Sequence, residues 1–288
     1  MAQLPDILTM GTASGVRIYA TRTTNLTRTI TERHKCSHVA SAALGRAMAG
    51  ALLFAATMKD GERVGLRFKG DGPIGEVVAD AENFCVRGYV GNPDVYLPPK
   101  NGKLDVGGAV GAGTITVTRY RKNAAPFTGY ANLVSGEIAN DLTSYLYTSE
   151  QTPSSVALGV LVAPSGQVLE AGGYFIQALP DCDEHTLDIL DANVRRLPYV
   201  SQMLELGYGP EKMIELLGRG LETHILETKP VQFKCRCSRE RVLQTLATLP
   251  AQDLQELGQD AKTEVHCPFC NETYLFSKEE IQALAQAE

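Results

Sequence analysis

Four of the chain's seven cysteines fall into two tight pairs near its C-terminus, Cys235-Arg236-Cys237 and Cys267-Pro268-Phe269-Cys270. Zinc takes soft or borderline ligands at the corners of a tetrahedron, and four cysteines close that shell with no open position. Paired cysteines on two tight turns supply this geometry, so the chain between them must fold to bring the turns face to face. The surrounding segment, residues 232–288, has few large apolar side chains, and a module of that size needs a staple. The pattern predicts one zinc per reduced chain, held by Cys235, Cys237, Cys267 and Cys270 as thiolates.

The same residues also fit other chemistries. Cys267-Pro268-Phe269-Cys270 matches the active-site string of thioredoxin-like oxidoreductases, which sits where a strand enters a helix of an α/β fold. Eighteen residues after Cys270 are too few for the rest of that fold. A zinc ribbon gripping nucleic acid would carry a basic face, but six Lys/Arg stand against nine Asp/Glu from Lys234 to Glu288. A permanently closed structural zinc site is the serious competitor. The Cys-x-Cys spacing favours a switch instead. Zinc-bound thiolates remain the reactive form of cysteine, and disulfides between such close neighbours are strained and labile. Structural zinc supplies roughly 10–16 kcal/mol to finger-sized modules, against about 5–15 kcal/mol for whole domains. Oxidising either pair removes two ligands, so it should release the metal and unfold the module.

The remaining sequence bounds the setting. A hydrophobic fraction of 44% and a charged fraction of 21% over 288 residues are ordinary for a globular chain. The net charge of −6 disfavours a nucleic-acid partner. The longest apolar stretch, Ala40 to Met58, is interrupted by Ser41, Gly45, Arg46, Gly50 and Thr57; it reads as a buried core helix, so no membrane span is expected. Met1–Met10 lacks a secretion pattern, and together with the cysteine usage this predicts reduced thiols and a cytoplasmic location. Cys36, Cys85 and Cys182 read as small core or surface side chains. His34 and His38, flanking Cys36, lack a zinc-protease glutamate and read as surface or capping residues. Gly70-Asp71-Gly72-Pro73-Ile74-Gly75 fits a dinucleotide fingerprint only as a string; the strand pattern after it makes it a hairpin turn.

Three regions follow. Residues 1–179 predict an α+β core, with strands at Val64–Lys69, Gly75–Ala79, Val86–Val90, Thr114–Arg119, Val156–Val162 and Gly172–Leu179. Helices are predicted at Ser37–Met58 and Ser135–Ser149, the latter with Glu137, Asn140 and Asp141 facing out. Residues 180–231 are acidic, with Leu187, Leu190, Val194 and Leu197 at helical spacing after an Asp183 N-cap. Pro198 interrupts that helix, Gly207 and Gly209 end the next, and Pro210 opens a third, whose apolar face is Met213, Ile214, Leu216 and Leu217. Such short helices need a surface to lie on. Leu187, Leu190, Val194, Met213 and Leu217 are expected to dock on the core sheet and, once released, to hold clients. Residues 232–288 form the zinc module.

Along essentially its whole length the sequence resembles the heat-shock protein 33 family. The resemblance rests on the two cysteine pairs, on Gly72-Pro73-Ile74-Gly75, Ser135-Gly136-Glu137-Ile138, Ser149-Glu150-Gln151-Thr152-Pro153-Ser154 and Ala171-Gly172-Gly173-Tyr174-Phe175. It implies a non-enzymatic, ATP-independent holdase chaperone with an α+β core, a metastable helical linker and a C-terminal zinc domain. It implies that the reduced zinc form is inactive, that oxidation pairs Cys235 with Cys237 and Cys267 with Cys270, and that zinc then leaves. Unfolded clients, a homodimer on oxidation and hand-over to ATP-dependent foldases are the partners it implies.

Overall fold

The computed structural model describes residues 4–59 and 61–285. The chain divides into two compact units, one ending at Lys234 and the other beginning at Cys235.

The first unit opens with a hairpin, β1 (Ile7–Ala13) and β2 (Val16–Arg22), followed by α1 (Thr24–Arg33) and α2 (His38–Ala55). Next come β3 (Arg63–Gly70), β4 (Glu76–Glu82), β5 (Cys85–Val90), α3 (Val106–Val110), β6 (Gly113–Tyr120), β7 (Phe127–Asn132), α4 (Ala139–Thr148), β8 (Ser154–Val162) and β9 (Val168–Ala178). Three short helices follow, α5 (Glu184–Arg196), α6 (Val200–Glu205) and α7 (Pro210–Leu217), and then β10 (Thr223–Pro230) and β11 (Gln232–Phe233). The strands form two sheets, in the orders β10-β1-β2-β9-β8 and β11-β5-β4-β3-β6-β7.

Helix α2 is the layer between those sheets, touching β3, β4 and β5 on one side and β2, β8 and β9 on the other. That position explains its composition. A helix apolar all round must be buried all round, and Val39 to Phe54 are buried with the exception of Arg46. Ser37 caps it, its hydroxyl accepting from the Ala40 N–H. Arg46 pairs with Glu137, whose other carboxylate oxygen accepts from the Gly107 N–H. The helix is thus a core element, as its sequence suggests, although its 18 residues would be long enough to span a bilayer.

The five-stranded sheet is covered on both faces. Tyr19 and Phe175 face the core around α2, while their neighbours Ile18, Ala20, Tyr174 and Ile176 face a second apolar cluster built with α5, α6 and α7. Strands buried on both sides lose the alternation that marks a half-solvated sheet. This is why β1 and β2 carry no strand signal in the sequence, whereas β10 lacks one because it is a mostly exposed, polar edge. Residues 223–230 form an edge strand paired antiparallel to β1, within the 180–231 span whose sequence predicts only short helices.

The Gly70–Gly75 segment is the turn joining antiparallel β3 and β4. A Cβ on Gly70 would lie 1.9 Å from the Val110 carbonyl oxygen, so glycine is required there by backbone approach and not by a bound phosphate. Asp141, expected to face out, is fully buried. Its carboxylate accepts from the backbone N–H groups of Val134 (2.7 Å) and Ser135 (2.9 Å), tying the preceding loop to α4. Glu137 is partly buried and Asn140 exposed. His34 closes α1 and His38 opens α2, as surface and capping residues would.

The second unit contains α8 (Arg239–Leu246), α9 (Ala251–Leu257), the hairpin β12 (Lys262–His266) and β13 (Thr273–Ser277), and α10 (Lys278–Ala285). Among the described residues its core is four buried apolar side chains, Leu246, Leu254, Phe276 and Ile281. Arg239 clamps this core from outside. Its guanidinium makes two bonds to Glu280 at 2.6 and 2.8 Å, donates to the Leu275 carbonyl oxygen at 2.6 Å, and lies over the Phe276 ring.

Candidate metal centre

The first cysteine pair lies in the loop that enters α8. Ser238 caps that helix, its hydroxyl accepting from the Arg241 N–H, so the chain must turn sharply just after Cys237. The Arg241 side chain reaches back and donates to the Arg236 carbonyl oxygen at 2.6 Å, fixing the loop between the two cysteines. The second pair occupies the turn between β12 and β13. There the Cys267 N–H donates to the Glu272 carbonyl oxygen and the Asn271 N–H to the Cys267 carbonyl oxygen, both at 2.9 Å. Asn271 has φ 57°, the left-handed conformation that asparagine tolerates better than most residues.

These two turns converge. The four sulfur atoms all lie within 4.8 Å of one another, with Cys235 Sγ 3.7 Å from Cys267 Sγ and Cys237 Sγ 3.3 Å from Cys270 Sγ. Zinc–sulfur bonds of about 2.3 Å in a tetrahedron place ligand sulfurs about 3.8 Å apart. The spacing and the all-thiol donor set therefore fit a tetrahedral metal ion. Cys267 and Cys270 are buried, and Cys235 and Cys237 half-buried.

The sulfurs are electrostatically unequal. Burial opposes ionisation of Cys235, but the Cys237 N–H and the surrounding thiols outweigh it and bring its pKa down to about 7. Burial raises Cys237, and so does its neighbour Cys235, against the opposing Tyr274 and Cys270 hydrogen bonds. Cys270 is pushed up most, by burial and by the other sulfurs. Four thiols this close cannot all ionise without a cation between them. Tyr274, on β13, donates its hydroxyl to Cys237 Sγ at 3.1 Å, and this bond raises the tyrosine's own pKa.

The other three cysteines lie in the first unit and are no part of this group. Burial and the Asp94 charge push Cys36 up to about 12; burial, Asp183 and Asp181 raise Cys182. Cys85 accepts a hydrogen bond from the Gln232 side chain at 3.5 Å.

Of the apolar residues singled out between 180 and 231, Leu190, Met213 and Leu217 are buried in the cluster on the five-stranded sheet, and Val194 packs against it half-buried. Leu187 is 40% exposed and stands outside the cluster. Val200, Met203 and Leu204 of α6, which carry no helical periodicity in the sequence, are buried in the same cluster. A six-residue helix is too short to show a period. Asp183 caps α5, accepting from Thr186 N–H at 2.7 Å, and Pro210 opens α7.

An α+β body with a C-terminal four-cysteine module able to hold a metal ion defines the class of protein. A family model described as Hsp33 protein matches residues 7–277. A 33 kDa chaperonin of Desulforamulus reducens is 42% identical over 286 residues, covering 98% of this chain and 97% of that protein. One of Symbiobacterium thermophilum is 46% identical over 276 residues, covering 94% of each. The crystal structure of the 33 kDa chaperonin of Thermotoga maritima superposes with a TM-score of 0.92 at 36% identity, covering 98% of both chains. The chain belongs to the Hsp33 family. That family is one of chaperones and not of enzymes, and its members bind unfolded client proteins.

Proposed function

We propose that this chain is a redox-regulated, ATP-independent holdase. The observation that carries the reading is the convergence of four thiols within 4.8 Å in a module whose apolar core, among the described residues, is four buried side chains. In the reduced state Cys235, Cys237, Cys267 and Cys270 hold one zinc ion as thiolates. The bound metal supplies charge neutralisation and a covalent staple that so small a core needs. Oxidation joins Cys235 to Cys237 and Cys267 to Cys270; with its ligands consumed, the site lets zinc go and the module loses its fold.

In this reading residues 1–179 are the client-holding core, 180–231 the metastable linker and 232–288 the switch. Loss of the switch's fold releases the linker from the five-stranded sheet. Leu190, Val194, Met213 and Leu217, together with the sheet face they cover, then become apolar surface for unfolding chains. The oxidised protein dimerises and passes its clients to ATP-dependent foldases when reducing conditions return. The reading belongs to the cytoplasm, where thiols are kept reduced at rest.

The test is to measure zinc release and suppression of client aggregation before and after hydrogen peroxide with mild heat. Activity that rises together with zinc release supports the switch. Equal activity before and after oxidation identifies a static, zinc-stabilised binding protein.

A further inference from the structure

We infer that Tyr274 is a positioning residue that sets how readily the metal site is oxidised, by occupying a lone pair of the Cys237 sulfur. The inference rests on the redox-switch reading and adds a residue to it.

The cysteine sulfurs receive hydrogen bonds of two kinds. Backbone N–H groups reach two of them, from Cys237 to Cys235 and from Glu272 to Cys270. These belong to the backbone of the turns and do not depend on the donor residue's side chain. The Tyr274 O–H···Sγ bond to Cys237, at 3.1 Å, comes from a side chain and from a different element. Tyr274 sits in β13 opposite Val265, three residues before the N-terminus of α10 is reached at Ser277, and its ring packs against the core formed by Leu246, Leu254, Phe276 and Ile281. Its position is therefore set by the hairpin and the core, and its hydroxyl is delivered to the sulfur without depending on the metal.

Outer-shell hydrogen bonds tune metal ligands, and a donor to a ligating sulfur withdraws electron density from it. Oxidation needs that density. A thiolate lone pair attacks one oxygen of hydrogen peroxide; the S–O bond forms, the O–O bond breaks, and the departing hydroxide takes a proton to become water. A second thiolate then attacks the sulfenic sulfur; the S–S bond forms, the S–O bond breaks, and a second hydroxide leaves as water once protonated. Two electrons pass from two sulfurs to one peroxide. With the tyrosine in place Cys237 is the poorer nucleophile, so the pair Cys235–Cys237 resists oxidation that it would otherwise undergo. The hydroxyl acts as a threshold: brief or dilute peroxide leaves the site closed.

Tyr274→Phe removes the hydroxyl and keeps the ring in the core. It should bind zinc at the wild-type stoichiometry and release it about tenfold faster under a fixed peroxide dose, the lower end of what outer-shell partners contribute. Trapping sulfenic acids with a dimedone probe and mapping peptides should show the increase at Cys237. In cobalt-substituted protein the sulfur-to-metal charge-transfer band should shift, a signature that a purely structural residue would not move. A fluorinated tyrosine placed at 274, a stronger O–H donor of nearly the same size, should slow release, and it serves also if the phenylalanine variant folds poorly. Release rates equal to wild type in both variants, or labelling that rises uniformly over all four cysteines, would overturn the assignment. If wild-type protein itself keeps its zinc under peroxide, the redox reading fails instead, a separable result.

Discussion

The Asn193 side-chain amide donates to the Leu217 carbonyl oxygen at 2.8 Å, and also to that of Arg219 at 2.8 Å. One residue of α5 thereby closes the C-terminal end of α7, where helix carbonyls would otherwise lack partners. Three short helices that are individually marginal become one layer over the sheet.

Loosening that layer should activate the protein without oxidation. Asn193→Ala leaves two carbonyl groups short of a donor, at a cost of about 1–3 kcal/mol for the layer. Leu190→Asp puts a charge into a side-chain site only 4% exposed and should detach α5 more completely. Both reduced variants are expected to suppress client aggregation with zinc still bound, Leu190→Asp more strongly. Hydrogen exchange at Ile18, Ala20, Tyr174 and Ile176 should rise in step. Variants whose exchange shows an open layer but whose reduced form stays inactive would separate linker release from activation.

Removing the metal should unfold the second unit alone. In Cys267→Ser or Cys237→Ser a hydroxyl replaces a thiolate, and zinc affinity should fall by orders of magnitude in a chelator competition. Circular dichroism should then report loss of α8–α10, while the first unit, with its own core around α2, keeps its melting transition. Retention of full zinc affinity in the Cys267→Ser variant would count against the ligand set.

Zinc binding should be strongly pH-dependent, with a definite sign. In the metal-free site Cys237 and Cys270 are raised and hold their protons at neutral pH, while Cys235 titrates near about 7. The metal must displace those protons, so lowering the pH weakens binding and raising it strengthens binding. Titrating zinc into apoprotein in weak buffer should acidify the solution, and the apparent affinity should drop steeply below pH 7.

Peptide mapping after oxidation should find Cys235 bonded to Cys237 and Cys267 to Cys270. The two short sulfur separations in the reduced fold, 3.7 and 3.3 Å, run across the pairs instead. Sulfurs gathered round one ion are all near neighbours, so this geometry does not select a pairing. Once the module opens, loop length does, and the shortest loops close at least entropic cost. Predominant cross-pair bonds would show that oxidation is completed inside the folded module.

The sequence by itself marked out the four clustered cysteines, the capping residue Asp183, the helix-opening Pro210 and the central α2, because each is a local rule. Cysteine spacing, a side chain next to a helix start, and an apolar run are all legible within a few residues. Other features were decided only by tertiary structure. Strands β1, β2 and β10 carry no clean alternation because β1 and β2 lie between two apolar layers and β10 is a polar edge. Asp141 is buried because loop amides converge on it, and Leu187 is left outside a cluster that its spacing alone would have joined. Tyr274 meets Cys237 from 37 residues away in sequence, through a hairpin that folds the two together. Contacts of that separation have no local signature; they exist only when the whole chain has closed around its cores.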